Sequence, residues 1–274
     1  MVAYFKKQTW LFMIGGLALG LLATAILWNT YLAGSALFLK LTYVLMLSLL
    51  GVVAGRILAA KWCSKRLGQL GDLLYANCDP DAFIQAFEPI ARRVPDDNVV
   101  LADGCVKLSF AYEAKGDFEK ALSYLDKPDL DKLKLHRLQA DSILTNQRMR
   151  VQLLKEDVPG ATASLRHLRQ LEADAGQRAK MLGEQIHAVA ELGQRWLNFL
   201  AHGETDIHYI SEEAELSKND IYRAEMELLC GRMHFSDGED KLAAVEYKNA
   251  VKHGHGLWPS KKAAELLEQL HIDL

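Results

Sequence analysis

Two long apolar runs open the chain. Residues 10–28 read WLFMIGGLALGLLATAILW, nineteen residues without a charge. At about 1.5 Å of rise per residue a helix of that length covers roughly 28 Å, close to the hydrocarbon thickness of a bilayer. Residues 41–60 form a second run with Arg56 as its only charge, and Lys40 and Arg56 lie near enough to its ends for their stems to snorkel to the headgroups. The uncharged stretch 29–34 (NTYLAG) joins the two runs, so the pattern predicts an antiparallel helical hairpin over residues 1–66. Beyond a connector at 67–78 the period changes. Apolar residues recur at three and four positions and never alternate at two, which predicts helices and no strand. All six prolines, Pro80, Pro89, Pro95, Pro128, Pro159 and Pro259, fall in this part. Asp79-Pro80 reads as an N-cap with a first-turn proline, Pro95 to Asn98 as a turn, and Pro89 as a kink or split within a helix. Ten or eleven helices in antiparallel pairs are expected over residues 79–274.

Charge divides the chain at the same place. Residues 1–66 carry Lys6, Lys7, Lys40, Arg56, Lys61, Lys65 and Arg66 and no acid, a net charge of +7. The remaining 25 basic residues face all 35 acidic ones, so the rest of the chain is near -10. An acidic body excludes nucleic acid as a partner, because phosphates require a basic face. The basic residues before the first run and after the second place both termini in the cytoplasm, with Trp10, Trp28, Tyr31 and Trp62 near the membrane interfaces. A cleaved signal peptide ending near Ala23-Thr24-Ala25 is the alternative for the first run, although nineteen apolar residues exceed the usual core of one. The acidic part reaches the same side of the membrane either way. Two small-xxx-small patterns, Gly16/Gly20 and Gly51/Gly55, share a depth in the hairpin and are expected to pack its helices or join it to another membrane helix, in a homo- or hetero-oligomer.

An internal repeat is the most specific signal. Residues 105–125 read CVKLSFAYEAKGDFEKALSYL, with Leu108, small Ser109 and Tyr112 on one helix, Gly116-Asp117 in a turn, and Ala121 and Leu125 on the next. Residues 227–250, ELLCGRMHFSDGEDKLAAVEYKNA, repeat the spacing with Cys230, Gly231, His234, Gly238-Glu239, Ala243, Tyr247 and Ala250. Both resemble the tetratricopeptide repeat, a helix pair in which small residues let the helices cross closely. The resemblance implies an all-α body, an α-solenoid over 79–274 closed by a capping helix at 259–270, with irregular pairs between the two clear repeats. It also implies a concave groove lined by the first helix of each pair, here Asp103, Val106, Phe110, Glu113, Glu225, Leu228, Arg232 and Phe235. Family members that grip carboxylate termini of chaperones use Lys and Asn at such places, where this chain has Val106 and Phe110, which puts that client class in doubt.

Little in the sequence points to catalysis. It contains no phosphate-binding G-x-x-x-x-G-K-[ST] loop, no H-E-x-x-H and no nucleophile elbow. Glu184-x-x-His187 is one copy of a spacing that di-iron bundles need twice. His253 and His255 fall in a glycine-rich turn without an adjacent Cys or carboxylate and read as solvated. Cys63, Cys78, Cys105 and Cys230 have no metal or disulfide spacing and fit a reducing compartment, Cys63 being placed for acylation or else inert. The expectation is a non-enzymatic, membrane-anchored interaction scaffold without cofactor or metal, presenting a cytoplasmic groove to a peptide or helix of a protein partner. The alternative is an accessory subunit of a transport, secretion or envelope-synthesis complex whose hairpin makes the functional contact.

Overall fold

The computed structural model describes residues 2–30, 34, 37–94, 99–176 and 179–270. Among them are twelve α-helices, two short 3-10 helices and no strand. The expected turn at 95–98 and residues 31–33 of the turn at 29–34, Tyr31 among them, lie outside the described residues. The chain divides into two compact units, Met1–Leu70 and Gly71–Leu274.

The first unit contains the 3-10 helix Val2–Phe5, α1 (Lys6–Thr30) and α2 (Leu37–Tyr75) as far as Leu70. Both helices are long and apolar enough to cross a membrane, Lys6–Trp28 over 23 residues and Leu37–Tyr75 over 39. Glycine sets their approach. A methyl group added to Gly16 would strike the Gly51 carbonyl, and one on Gly51 would strike that of Gly16. Gly20 meets the Leu47 carbonyl in the same way, and Gly55 that of Phe12. Two threonine hydroxyls are spent on their own helix, Thr24 Oγ1 donating to the Gly20 carbonyl at 2.9 Å and Thr9 Oγ1 to that of Phe5 at 3.1 Å, while the buried Ser48 Oγ has no partner among the described residues. Near the chain start Trp62 packs edge-on against Phe5, ring centres 5.3 Å apart, and beside Phe12 at 6.2 Å. Cys63 is fully buried there.

In the stretch 67–78, expected as a connector, residues 67–75 are the last turns of α2, and the boundary between the two units falls within it. Leu67, Leu70 and Leu74 keep the helical period, no proline interrupts it, and Leu70 and Leu74 are buried.

The second unit is built from α3 (Pro80–Ala91), α4 (Val99–Ala114), α5 (Phe118–Leu125), α6 (Arg137–Leu154), α7 (Val158–Ala175), α8 (Lys180–His202), α9 (Ile207–Leu216), α10 (Asp220–Ser236), α11 (Asp240–His253) and α12 (Trp258–Gln269). Side-chain caps set four of the starts. Asp79 accepts from Ala82 N at 2.9 Å, Asp117 from Lys120 N at 3.2 Å, Asp157 from Gly160 N at 3.1 Å and Asn219 from Ile221 N at 3.0 Å. Pro89 does not split α3. It lies two residues before the helix ends at Ala91, where the chain leaves the helix anyway. Gly116, Gly203 and Gly238 hold left-handed φ of 82°, 72° and 77° in the turns after α4, α8 and α10.

Neighbouring helices pack on one another through most of the unit, and α4 also packs on α6, α6 on α8 and α10 on α12. The main core joins Met149, Leu153, Leu165, Leu168, Ile186, Trp196, Ile210, Met226 and Met233 from five consecutive helices, α6 to α10. A second cluster, Leu228, Ala243, Tyr247, Ala250 and Ala263, joins α10, α11 and α12. Gly231 lies flat against the Tyr247 ring, leaving no room for a larger residue. Finally α12 reaches back to α4: Trp258 meets Phe118 edge-on at 5.1 Å and covers Gly116.

Candidate functional site

Helix α6 carries so many polar residues that its sequence reads as a surface helix, yet it is the central one. Asp141, Ser142, Thr145 and Gln147 are all buried along it, beside Leu144, Met149, Val151 and Leu153. Each polar group is matched. Thr145 donates to Asp141 at 3.1 Å, His167 reaches Asp141 at 3.0 Å, and Ser164 donates to Gln152 at 2.7 Å.

Near the C-terminal end of this helix Arg150 extends between α4 and α10. Its Nε and Nη2 donate to Glu225 Oε2 at 3.1 and 2.5 Å, and Nη2 lies 2.8 Å from Glu113 Oε1 without the alignment of a hydrogen bond. The guanidinium is stacked between Phe110 and Tyr222, 4.7 and 5.0 Å from their ring centres. One turn earlier Gln147 Nε2 donates to Glu113 Oε2 at 2.6 Å. Both carboxyls are buried completely, and burial pushes both toward the neutral form against the pull of Arg150. Each also keeps one oxygen, Oε1, without a donor. Two buried carboxyls beside one guanidinium favour the state in which the pair carries a single negative charge. Glu113 is pushed the further of the two, by burial and by the neighbouring Glu225 charge, whereas Arg150 bonds Glu225 directly.

Beside Arg150, a cavity of about 250 Å³ opens between α6, α8 and α10. Its walls are Asn146, Met149, Leu153, Val189, Leu192, Gly193, Trp196 and Tyr222. Trp196 Nε1 is buried there without an acceptor. The space fits a side chain or a small molecule, and Arg150 is already neutralised by its carboxylates, so the cluster offers neither a nucleophile nor a free charge. A second cavity of about 330 Å³ lies between α3, α4 and α5, walled by Glu88, Cys105, Leu108 and Tyr124.

The structure separates the eight residues expected to line a groove. Phe110, Glu113, Glu225 and Leu228 are buried inside the body, so they are interior and not open to a partner. For Phe110, Glu113 and Glu225 the physical reason is Arg150, a residue with no place in the repeat pattern, which fills the space between α4 and α10, whereas Leu228 is covered by Ala243 and Tyr247 of α11 and Ala263 of α12. Val106 is half-buried. Arg232 is half-buried too, held by Glu156 at 2.9 Å and lying 5.7 Å from the Phe199 ring centre. Asp103 is exposed and paired with Lys107 at 2.8 Å, and Phe235 is 55% exposed. The four span glycines meet within the hairpin.

The metal-like spacing of Glu184 and His187 does not converge on one point. Glu184 faces Lys180 at 3.7 Å, and His187 Nδ1 faces Glu172 at 2.8 Å beside Arg169. In the HGHG turn His253 is half-buried and reaches Glu227 at 2.8 Å, whereas His255 is exposed as expected but reaches Asp220 at 3.1 Å. These carboxylates lie 26 and 35 residues from their histidines, beyond what local spacing reveals. No family model matches the chain, and neither a curated protein nor a solved structure matches it.

Proposed function

We propose that the protein is a membrane-anchored interaction scaffold. The hairpin of α1 and α2 holds it in the cell membrane with both termini in the cytoplasm, and a tetratricopeptide-like helical body receives a helix or peptide of a protein partner. One observation carries the anchor: the apolar windows of α1 and α2 are only 11% and 0% buried. A core helix would hide that surface within the protein, whereas here it requires an apolar solvent. The tight glycine contact between α1 and α2 favours a span that is retained over one that is removed, and Lys6, Lys7, Lys61, Lys65 and Arg66 favour the orientation.

Support for the repeat reading of the body comes from the helix–turn–helix pairs α4–α5 and α10–α11, from Gly231 against Tyr247, and from the packing of α4 on α6 and α6 on α8. Because the inner face of α4 is filled, the docking surface is assigned to the outer side of the α10–α11 pair. Phe235, Leu242 and Val245 are exposed there by 55%, 49% and 51%. Leu242 and Val245 stand one turn apart on one helix face, and the exposed acids Asp237, Glu239 and Asp240 flank them. That chemistry suits an apolar helix face with basic neighbours.

Photoreactive residues at Phe235, Leu242 and Phe110, crosslinked in intact membranes, test the assignment. The expected result is the same captured protein at Phe235 and Leu242 and none at Phe110. Capture at Phe110, or capture only by probes on the outward faces of the spans at Leu19 and Leu45, rejects it. The second of those outcomes would move the function to the hairpin, as an accessory subunit of a larger membrane complex.

A further inference from the structure

Three side chains with no part in the scaffold reading meet where the turn before α3, the first turn of α10 and the turn between α11 and α12 come together: Cys78, Asp220 and His255. One donor atom from each lies within 4.8 Å of the other two. His255 Nε2 is 3.1 Å from Asp220 Oδ2. Neither helix start needs these groups, since Asp79 caps α3 and Asn219 caps α10. The thiol is buried, while the carboxylate and imidazole side chains are 51% and 48% exposed. The three therefore form a shallow cup with sulfur at its floor. Cys78 and His255 also hold left-handed backbone conformations, φ 51° and 48°, which residues with a side chain seldom adopt.

We propose that Cys78, Asp220 and His255 bind a divalent cation of the zinc class, with water completing its coordination. One thiolate, one imidazole and one carboxylate suit zinc or cobalt, whereas magnesium and calcium take oxygen donors. With bonds of about 2.0–2.3 Å, the ligand atoms of a tetrahedral zinc site stand roughly 3.2–3.8 Å apart. The imidazole and carboxylate already stand close to this spacing at 3.1 Å, and the thiol lies within 4.8 Å of both.

The same trio makes a poor nucleophile. Burial and the nearby Asp220 charge both keep the Cys78 thiol protonated, and the histidine faces the carboxylate instead of activating the sulfur. A divalent cation reverses that balance, because it displaces the thiol proton, which leaves to solvent, and is attracted by both resulting anions. Bound, it ties the turn before α3 to the starts of α10 and α12, two regions more than a hundred residues apart in the sequence. Occupancy then adds to the stability of the body, in proportion to how far the free cation exceeds its dissociation constant.

The test uses the full-length chain without a histidine tag, purified in detergent, stripped with chelator and titrated with cobalt and then zinc. One cobalt per chain is expected, with a thiolate-to-cobalt charge-transfer band in the near ultraviolet that zinc abolishes, and zinc should raise the Tm. Cys78→Ser and His255→Ala should each remove the band. Cys63→Ser, Cys105→Ser and Cys230→Ser should keep it, because among the described residues only Cys78 has a histidine and a carboxylate within ligand reach. Should Cys78→Ser fail to fold, Asp220→Asn, at an exposed position, is expected to weaken cobalt binding tenfold or more. A wild-type chain without the band, or a band that survives His255→Ala and Asp220→Asn unchanged, overturns the proposal.

Discussion

Arg150 shows how one side chain decides what the interior tolerates. Arg150→Ala leaves Glu225 as a buried, unpaired anion and is expected to cost about 3–5 kcal/mol, read as a lower urea midpoint with an unchanged slope. Glu225→Gln should cost a comparable amount, because it removes the anion bonded directly to the guanidinium. Glu113→Gln differs. An amide reproduces the protonated carboxyl, so a change within about 1 kcal/mol is expected at pH 7. The pH dependence has a definite sign. Glu113 has a folded-state pKa raised above its unfolded value, chiefly by burial. Its contribution is complete below the unfolded pKa and is lost as pH rises through the folded one. Wild type should therefore lose stability toward alkaline pH relative to Glu113→Gln, and urea midpoints from pH 5 to 9 check this. Glu191 behaves oppositely. Bonds from Arg169 and Arg195 hold it down to about 2, so its contribution is present above the ordinary carboxylate range and disappears as pH falls toward 2.

Among the elements, α1 and α2 depend on backbone touching backbone. Leucine at Gly16 or Gly55 would have to displace a main-chain carbonyl of the opposite helix, a contact that no rotamer relieves. A loss of roughly 1–3 kcal/mol in helix packing is expected. Gly15→Leu is the control, since nothing lies within 4 Å of its added carbon. Hydrogen exchange across residues 10–28 and 41–60 should accelerate in Gly16→Leu and stay unchanged in Gly15→Leu. The repeat-like pairs obey the same logic in water, where Gly231 receives the Tyr247 ring. These spacings were visible in the sequence because a close crossing demands a small residue. The continuation of α2 to Tyr75 was equally present in the leucine spacing of residues 67–74, but the basic collar beside it suggested a boundary.

For the molecule as a whole, the end of the body folds back on its beginning. Trp258 of α12 packs on Phe118 and over Gly116 in the first repeat-like pair. Trp258→Ala is expected to cost about 2 kcal/mol, less than a fully buried tryptophan because this one is half-buried. Thermal unfolding followed near α4 and near α12 should show both regions loosening together, as one cooperative unit. An open row of helices would lose only its last member.

Local pattern alone determined the helical class, the two apolar spans, the cap at Asp79 and the two repeat-like pairs, because each depends on residues within a few turns of one another. Length and charge drew the contrast between a basic apolar start and an acidic body for the same reason. Only the tertiary structure decided that Phe110 and Glu113 face Arg150 and not solvent, and that His255 meets Asp220 and Cys78. Those contacts join residues 35 to 177 positions apart. Whether a side chain there is interior, rim or ligand depends on which helices are brought against it, and no periodicity within a helix records that.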